Sequence, residues 1–197
     1  IKKYRGKVPL FIEENIEQKL NQIFDSEVKL KSGGYLVINP TEALVSIDIN
    51  SGSSIKGKNI VLVGTGSLGS SMAKLVEPLG ANIIGVNKKG KPVEGCSKII
   101  TIEKIDTVLP EADILYLALP ETSETKNLIN KKRLDLLKPT CGIINIGRQS
   151  VLDYDVLCEK LNKREIAGAI LDVFTPEPID SNSKLWHTPN LVITPHV

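Results

Sequence analysis

The stretch Val61-Leu62-Val63-Gly64-Thr65-Gly66-Ser67-Leu68-Gly69 decides the fold. Residues 60–63 are apolar throughout and read as a buried strand. Residues 67–79 carry Leu68, Met72, Leu75 and Val76 at helical spacing. A strand that enters a helix through Gly64-x-Gly66-x-x-Gly69 has the context of a dinucleotide-binding loop. Gly64 permits the tight turn, Gly66 lets the backbone approach a pyrophosphate, and Gly69 lets the helix lie close to the strand. The amides of Ser67 and Leu68 then open a helix whose N-terminus carries about half a positive charge, which suits a diphosphate.

Outward from this loop, short apolar strands alternate with helical patterns. Further strands are expected over residues 82–86, 98–101, 114–118, 142–146, 169–173 and 191–193, and helices over 102–109, 134–137 and 153–163. Asp153 is the expected cap of the last helix. Strands apolar on both faces and joined by helices predict an α/β fold, a doubly wound parallel (Rossmann) sheet. Ligands then belong at the carboxyl ends of the strands. The Gly52-Ser53-Ser54-Ile55-Lys56-Gly57 stretch reads as a linker, dividing the chain into units 1–54 and 55–197. The first is a short α+β extension, with an amphipathic helix over 12–24, strands over 36–38 and 43–49, and a turn at Pro40-Thr41.

Composition narrows the partners. With 25 basic and 23 acidic residues among 197, bulk charge gives no argument for nucleic acid or a membrane surface. No apolar run approaches a membrane span and no signal peptide opens the chain, which begins at Ile1 and stops at Val197 so that both ends read as cut. Cys96, Cys141 and Cys158 are odd in number and widely spaced, so they read as buried, inert thiols of a cytoplasmic protein rather than as a disulfide set or metal site.

Chemistry concentrates at the expected strand ends. An acidic residue about 20 residues beyond the glycine loop usually accepts from an NAD ribose. Here Asn87 stands there, followed by Lys88 and Lys89, which favours NADP over NAD. Arg148, after Ile143-Ile144-Asn145-Ile146-Gly147, presents a guanidinium fork suited to a carboxylate. Asp172 and Glu177 follow another strand, and His196 lies within Thr194-Pro195-His196. A carboxylate beside an imidazole orients it and favours its protonated form.

These residues resemble the nucleotide-binding domain of the D-isomer-specific 2-hydroxyacid dehydrogenases. The resemblance covers about residues 55–197. It rests on the glycine loop, Ala118-Leu119-Pro120-x-Thr122-x-Glu124-Thr125, Asn145-x-Gly147-Arg148, Ala167-Gly168-Ala169-x-Leu171-Asp172-Val173-Phe174 with Glu177-Pro178, and Thr194-Pro195-His196. It implies that Arg148 binds and polarises a 2-oxo acid, that His196 is the general acid and base, and that Glu177 holds His196 protonated. It also implies that Asp172 contacts the nicotinamide carboxamide, that Leu119 and Pro120 line the adenosine side, and that Ile146 adjoins the cofactor. The implied partners are NADP or NAD, a small 2-hydroxy or 2-oxo acid such as glyoxylate or hydroxypyruvate, and a second copy in a homodimer. One departure is Gln149, where the family usually has glycine.

The front of the chain is similar to another family. Tyr4-Arg5-Gly6-Lys7-Val8-Pro9-Leu10-Phe11, the Ser32-Gly33-Gly34 block and Thr41-Glu42-Ala43-Leu44 resemble the ribonuclease E/G catalytic core over about residues 4–52. That resemblance implies a magnesium role for Asp48, but the second carboxylate of the pair has no counterpart here, so no metal site is expected. Three readings follow: a 2-hydroxyacid dehydrogenase domain, a non-catalytic dinucleotide-binding module, and an RNA-processing fragment.

Overall fold

The computed structural model describes residues 55–196 in full, together with the backbone of three strands near the N-terminus. It divides into two units, Ile1–Ser54 and Ile55–Val197. In the first, β1 (Glu27–Lys29), β2 (Tyr35–Pro40) and β3 (Val45–Asn50) form an antiparallel sheet in that order. The expected hairpin is present, with Tyr35 opposite Asn50 and Val37 opposite Asp48. Strand β1 was not anticipated, because Glu-Val-Lys is too short to show a period. The expected helix over 12–24 and the side chain of Asp48 lie outside the described residues.

The second unit holds seven strands: β4 (Asn59–Val63), β5 (Asn82–Asn87), β6 (Lys98–Thr101), β7 (Ile114–Leu117), β8 (Gly142–Asn145), β9 (Gly168–Leu171) and β10 (Leu191–Ile193). They pair in the order β10-β9-β8-β7-β4-β5-β6, every pair parallel. The chain winds outward from β4 in both directions, so the switch point lies between β4 and β7, where a doubly wound sheet binds ligands.

The register explains the two cores. Ile60 and Leu62 of β4 stand beside Ile114 and Tyr116 of β7, and this face packs under Ala73 and Val76 of α1 (Ser67–Val76). The opposite face, with Val61, Val63, Leu115, Leu117 and Ile143, packs against Leu134 and against Leu157 and Leu161. Those leucines come from α2 (Lys131–Leu134) and α3 (Tyr154–Asn162). Full burial of each such leucine contributes about 1.5–3 kcal/mol. Burial on both faces holds for the inner runs of β4, β5 and β7 but not elsewhere. In β8 and β9 buried and half-buried residues alternate, and edge strand β10 leaves Val192 exposed.

Several helices differ from expectation. Residues 102–109 form 3-10 turns, Ile102–Thr107 and Leu109–Glu111, because β-branched residues crowd the segment and Pro110 cannot extend an α-helix. The predicted helix over 134–137 ends where it was expected to begin. Asn130 caps α2 by accepting from the Arg133 amide at 3.2 Å, a signal overshadowed by the leucines that follow. The helix from Ser67 ends at Val76 and tightens into a 3-10 turn, Glu77–Leu79, around Pro78. Asp153 caps α3 as expected, accepting from the Val156 amide at 3.1 Å. The 3-10 turns Gln149–Val151 and Lys184–His187 were not anticipated.

Candidate active site

The glycine loop joins β4 to α1 at the switch point. Gly64 has φ +97°, and a Cβ there would lie 2.5 Å from the Ala118 carbonyl oxygen and 3.0 Å from Leu119. Only glycine suits both the dihedral and the gap. A Cβ on Gly69 would run into the Gly64 carbonyl oxygen, so α1 is seated as closely as the backbone allows. Gly66 is different: it is exposed, and a Cβ would meet nothing within 4 Å. Gly66 occupies the cap of α1 with no side-chain cap and no acidic residue in the first turn. Bare backbone, open space and a helix dipole fit a diphosphate.

The residues expected at the adenosine end are divided. Leu119 is half-buried against Gly64, and Pro120 is exposed beside it. Asn87 does not offer a free amide. Its Nδ2 donates to Thr65 Oγ1 and to the Lys91 carbonyl, both at 3.0 Å, while its Oδ1 accepts from the Lys89 and Lys91 amides. It shapes the turn that presents the lysines. Lys88 pairs with Glu124 at 2.7 Å, and Lys89 is exposed.

At the other end, His196 Nδ1 lies 3.0 Å from Glu177 Oε2, and the Phe174 amide donates to Glu177 Oε1 at 2.8 Å. The carboxyl of Glu177 is held below its ordinary range, first by its hydrogen bond to His196 and then by the Phe174 amide, with the charge of Arg148 adding to the effect. This pairing uses Nδ1 and leaves Nε2 of His196 facing away from the carboxylate. Arg148 is exposed. Its Nη1 donates to the Gly147 carbonyl at 2.8 Å, and among the described residues no carboxylate oxygen comes within 4.0 Å of its guanidinium. Asp172 sits at the end of β9 and accepts from Thr194 Oγ1 at 2.5 Å, which fixes it to the end of β10. Ile146 is half-buried at the end of β8 and packs on the face that α1 covers. Gln149 follows Arg148 in a 3-10 turn, and its Oε1 is buried without a partner beside a cavity of about 140 Å³.

Three groups at this site were not assigned roles from sequence. Asn145 is fully buried. Its Nδ2 donates to the Arg148 carbonyl at 3.2 Å and to the Tyr154 hydroxyl at 3.1 Å, while its Oδ1 accepts from the Gly147 amide at 3.1 Å. Tyr154 donates to the Val173 carbonyl at 2.8 Å. The Thr194 contact with Asp172 is the third. Asn145 and Thr194 stand inside quoted motifs, but Tyr154 was visible only as the residue after a helix cap.

Cys141 and Cys158 are free and buried as expected, whereas Cys96, also free, is only half-buried. Burial pushes the Cys141 thiol up to about 12 and also raises that of Cys96. Among the described residues no helix is long and apolar enough to cross a membrane.

Comparison with known proteins bears on the family and the fold. Residues 20–197 match the family described as D-isomer specific 2-hydroxyacid dehydrogenase, NAD binding domain, a match that reaches into the segment resembling ribonuclease E/G. A glyoxylate reductase of Thermococcus litoralis is 38% identical over 148 residues, 74% of this chain and 44% of the relative. A D-isomer specific 2-hydroxyacid dehydrogenase of Xanthobacter autotrophicus, solved with NADPH, superposes with a TM-score of 0.67 at 33% identity, covering 71% of this chain and 58% of that one. An NADPH-dependent glyoxylate/hydroxypyruvate reductase of Sinorhizobium meliloti gives 0.66 at 29% identity, covering 71% and 56%. The chain thus spans about half the length of the relatives it matches. With the parallel sheet and the glycine loop, the match over residues 20–197 places the chain in the D-isomer specific 2-hydroxyacid dehydrogenase family, through its NAD binding domain.

Proposed function

We propose that residues 55–197 are the cofactor-binding domain of a reductase that interconverts a small 2-oxo acid, of glyoxylate or hydroxypyruvate type, and its 2-hydroxy acid. The observation that carries this reading is the Glu177–His196 pair at 3.0 Å beside a guanidinium with no carboxylate partner among the described residues. In it, Gly64, Gly66, Ser67, Leu68 and Gly69 cradle the diphosphate, and Leu119, Pro120 and Ile146 flank the cofactor. The turn at Asn87 and Lys88 receives the adenosine ribose, and Asp172 orients the carboxamide. Bound NADP(H) or NAD(H) supplies or accepts the hydride. Arg148 holds the substrate carboxylate through its fork and polarises the adjacent carbonyl. His196, oriented by Glu177 through Nδ1, delivers a proton from Nε2 to the carbonyl oxygen in reduction and takes it back in the reverse direction. A positioned acid of this kind contributes ~10²–10⁴-fold. NADP is modestly preferred over NAD, because no carboxylate stands at position 87 and, with Lys88 paired to Glu124, Lys89 remains exposed beside it.

The apolar stripe of Leu68, Leu75 and Leu79, each about half or more exposed, favours a homodimer through this domain, and the free, widely spaced thiols fit a cytoplasmic enzyme. Residues 1–54 are in this reading an incomplete fragment resembling ribonuclease E/G, although the family match already begins at residue 20.

A second reading is a module that binds the dinucleotide without turnover, which needs the glycine loop but neither Arg148 nor His196. Titrating NADPH and NADH fluorescence and then adding glyoxylate or hydroxypyruvate separates the two. Binding followed by cofactor oxidation supports the reductase. Binding without oxidation supports the module, and no binding by either nucleotide overturns both.

A further inference from the structure

A path of hydrogen bonds, joined across the Val173–Phe174 peptide, links the three residues proposed for catalysis, and it runs through Tyr154. From the Arg148 carbonyl it passes to Asn145 Nδ2, at 3.2 Å, and from that nitrogen to the Tyr154 hydroxyl at 3.1 Å. The hydroxyl donates to the Val173 carbonyl at 2.8 Å. The next residue, Phe174, donates its amide to Glu177, which pairs with His196. Asn145 is fully buried and Tyr154 is 6% exposed. The ring of Tyr154 also packs edge-on against Phe174, with centroids 6.2 Å apart.

The path spans two separate loops. Arg148 follows β8, whereas Glu177 follows β9, and both leave the sheet just beyond its last ladder bonds. There the Asp172 amide still donates to the Asn145 carbonyl at 3.0 Å, and among the described residues no backbone hydrogen bond joins the two loops further on. Tyr154, from the first turn of α3, fills that gap. Burial, above all, keeps its hydroxyl protonated and therefore a donor.

We propose that Tyr154, acting through Asn145, is a positioning residue that sets the Arg148 loop against the Glu177–His196 pair. The inference rests on the dehydrogenase reading for its purpose, but the mechanical link it asserts exists whether or not the chain turns over substrate. Asn145 already closes the Arg148 turn by accepting from the Gly147 amide, so the tyrosine holds a turn that is internally rigid. One hydroxyl therefore couples a carboxylate-binding fork to a general acid.

The test uses the full chain and its two histidines, His187 and His196, of which His187 is the internal control. Tyr154→Phe keeps the ring and its packing and removes only the hydroxyl. Imidazole ¹⁵N shifts are recorded for the wild type, Y154F and Glu177→Gln, the last as the signature of a broken pair. Y154F is expected to move the His196 signature toward that of E177Q while His187 stays fixed. Amide exchange at Gly147 and Phe174 together should rise roughly tenfold, as for loss of one hydrogen bond, with β4 and β5 unchanged. Merely reduced stability would lower the melting temperature without moving the folded-state His196 signature. If Y154F does not fold, Asn145→Ser breaks the same path but also frees the Gly147 amide, so it is read only at His196 and Phe174, where it should give the same changes. A folded variant with unaltered His196 shifts and unaltered exchange at Gly147 and Phe174 overturns the proposal. Absence of glyoxylate reduction by the wild-type chain would count against the dehydrogenase reading and leave these measurements intact.

Discussion

Replacing Gly66 by alanine separates a ligand cradle from a packing glycine. Its φ of −71° is accessible to alanine, and a Cβ there would meet nothing within 4 Å. In the free protein two small effects oppose each other. Alanine lowers the entropy of the unfolded chain, worth about 0.4–1 kcal/mol, and is a poorer helix cap than glycine by roughly the same amount. The net change should lie within about 0.5 kcal/mol, which moves the melting temperature by no more than about 2 °C. With a dinucleotide present the balance changes, because the new methyl stands where the diphosphate must approach the amides of Ser67 and Leu68. Loss of one charge-assisted hydrogen bond costs about 1.5–3 kcal/mol, or roughly ten- to a hundredfold in Kd. The assay is NADPH fluorescence titration beside a thermal melt of the same preparation. A G66A protein that binds NADPH within about twofold of wild type would refute the cradle, since a hundredfold loss corresponds to roughly 2.7 kcal/mol. A melting temperature lowered by more than about 5 °C would refute the open-space argument instead.

Gly69→Ala should behave in the opposite way, destabilising the fold before any ligand is added, because its methyl runs into the Gly64 carbonyl; a melt of the free protein checks this. His196→Gln is expected to lower the rate of glyoxylate reduction by ~10²–10⁴-fold with NADPH affinity unchanged, read by comparing turnover with fluorescence titration. Burial works to raise the Asp113 carboxyl, but Lys138 at 2.8 Å and the Asn59 amide outweigh it and hold the group below its ordinary range. A depressed carboxylate contributes stability that is present above its unfolded pKa and lost as pH falls through the folded one. Asp113→Asn should therefore cost about 1 kcal/mol near neutrality, and the gap to wild type in urea midpoints should close as pH drops below about 3.9. The Cys141 thiol, pushed up to about 12 by burial, should resist alkylation at pH 8 in the native protein and react only on unfolding, as mass spectrometry of the labelled chain would report.

The strands of the larger unit were legible because each is a short apolar run, and a period of two or a continuous stretch survives any context. The helices were less so, and the reason is visible in particular residues. Sequence reading followed Leu134, Leu136 and Leu137 and missed that Asn130 starts the helix, because a cap is one hydrogen bond and a leucine run is three residues. Residues 102–109 have apolar side chains at helical spacing, and Ile105 and Leu109 are indeed fully buried. The spacing is nearly as good for a 3-10 turn, however, and Pro110 with the β-branched residues decided between them. In the N-terminal unit the strand Glu27–Lys29 is held by pairing with β2 rather than by any pattern of its own.

The candidate site was legible to the extent that its chemistry is carried by residue type at a strand end. Arg148, Glu177 and His196 announce themselves by charge and by the motifs around them, and Glu177 does reach His196 across 19 positions of sequence. What holds them in register is of another kind. Asn145 and Tyr154 are 9 residues apart and meet only because a 3-10 turn at Gln149–Val151 folds the start of α3 back over the end of β8. Nothing in the run Arg148-Gln149-Ser150-Val151-Leu152-Asp153-Tyr154 signals that turn, and Gln149 in place of the usual glycine argues against a tight one. The same holds for Asn87, whose place in the sequence suggests a ribose ligand while its amide is spent on Thr65 and the turn to Lys91. Charge and motif thus locate the groups that meet a ligand. The neutral amides and hydroxyls that position them become visible only when their buried donors and acceptors are paired off one by one. That asymmetry gives Y154F its value: it leaves every charged group of the site in place and alters only what holds them.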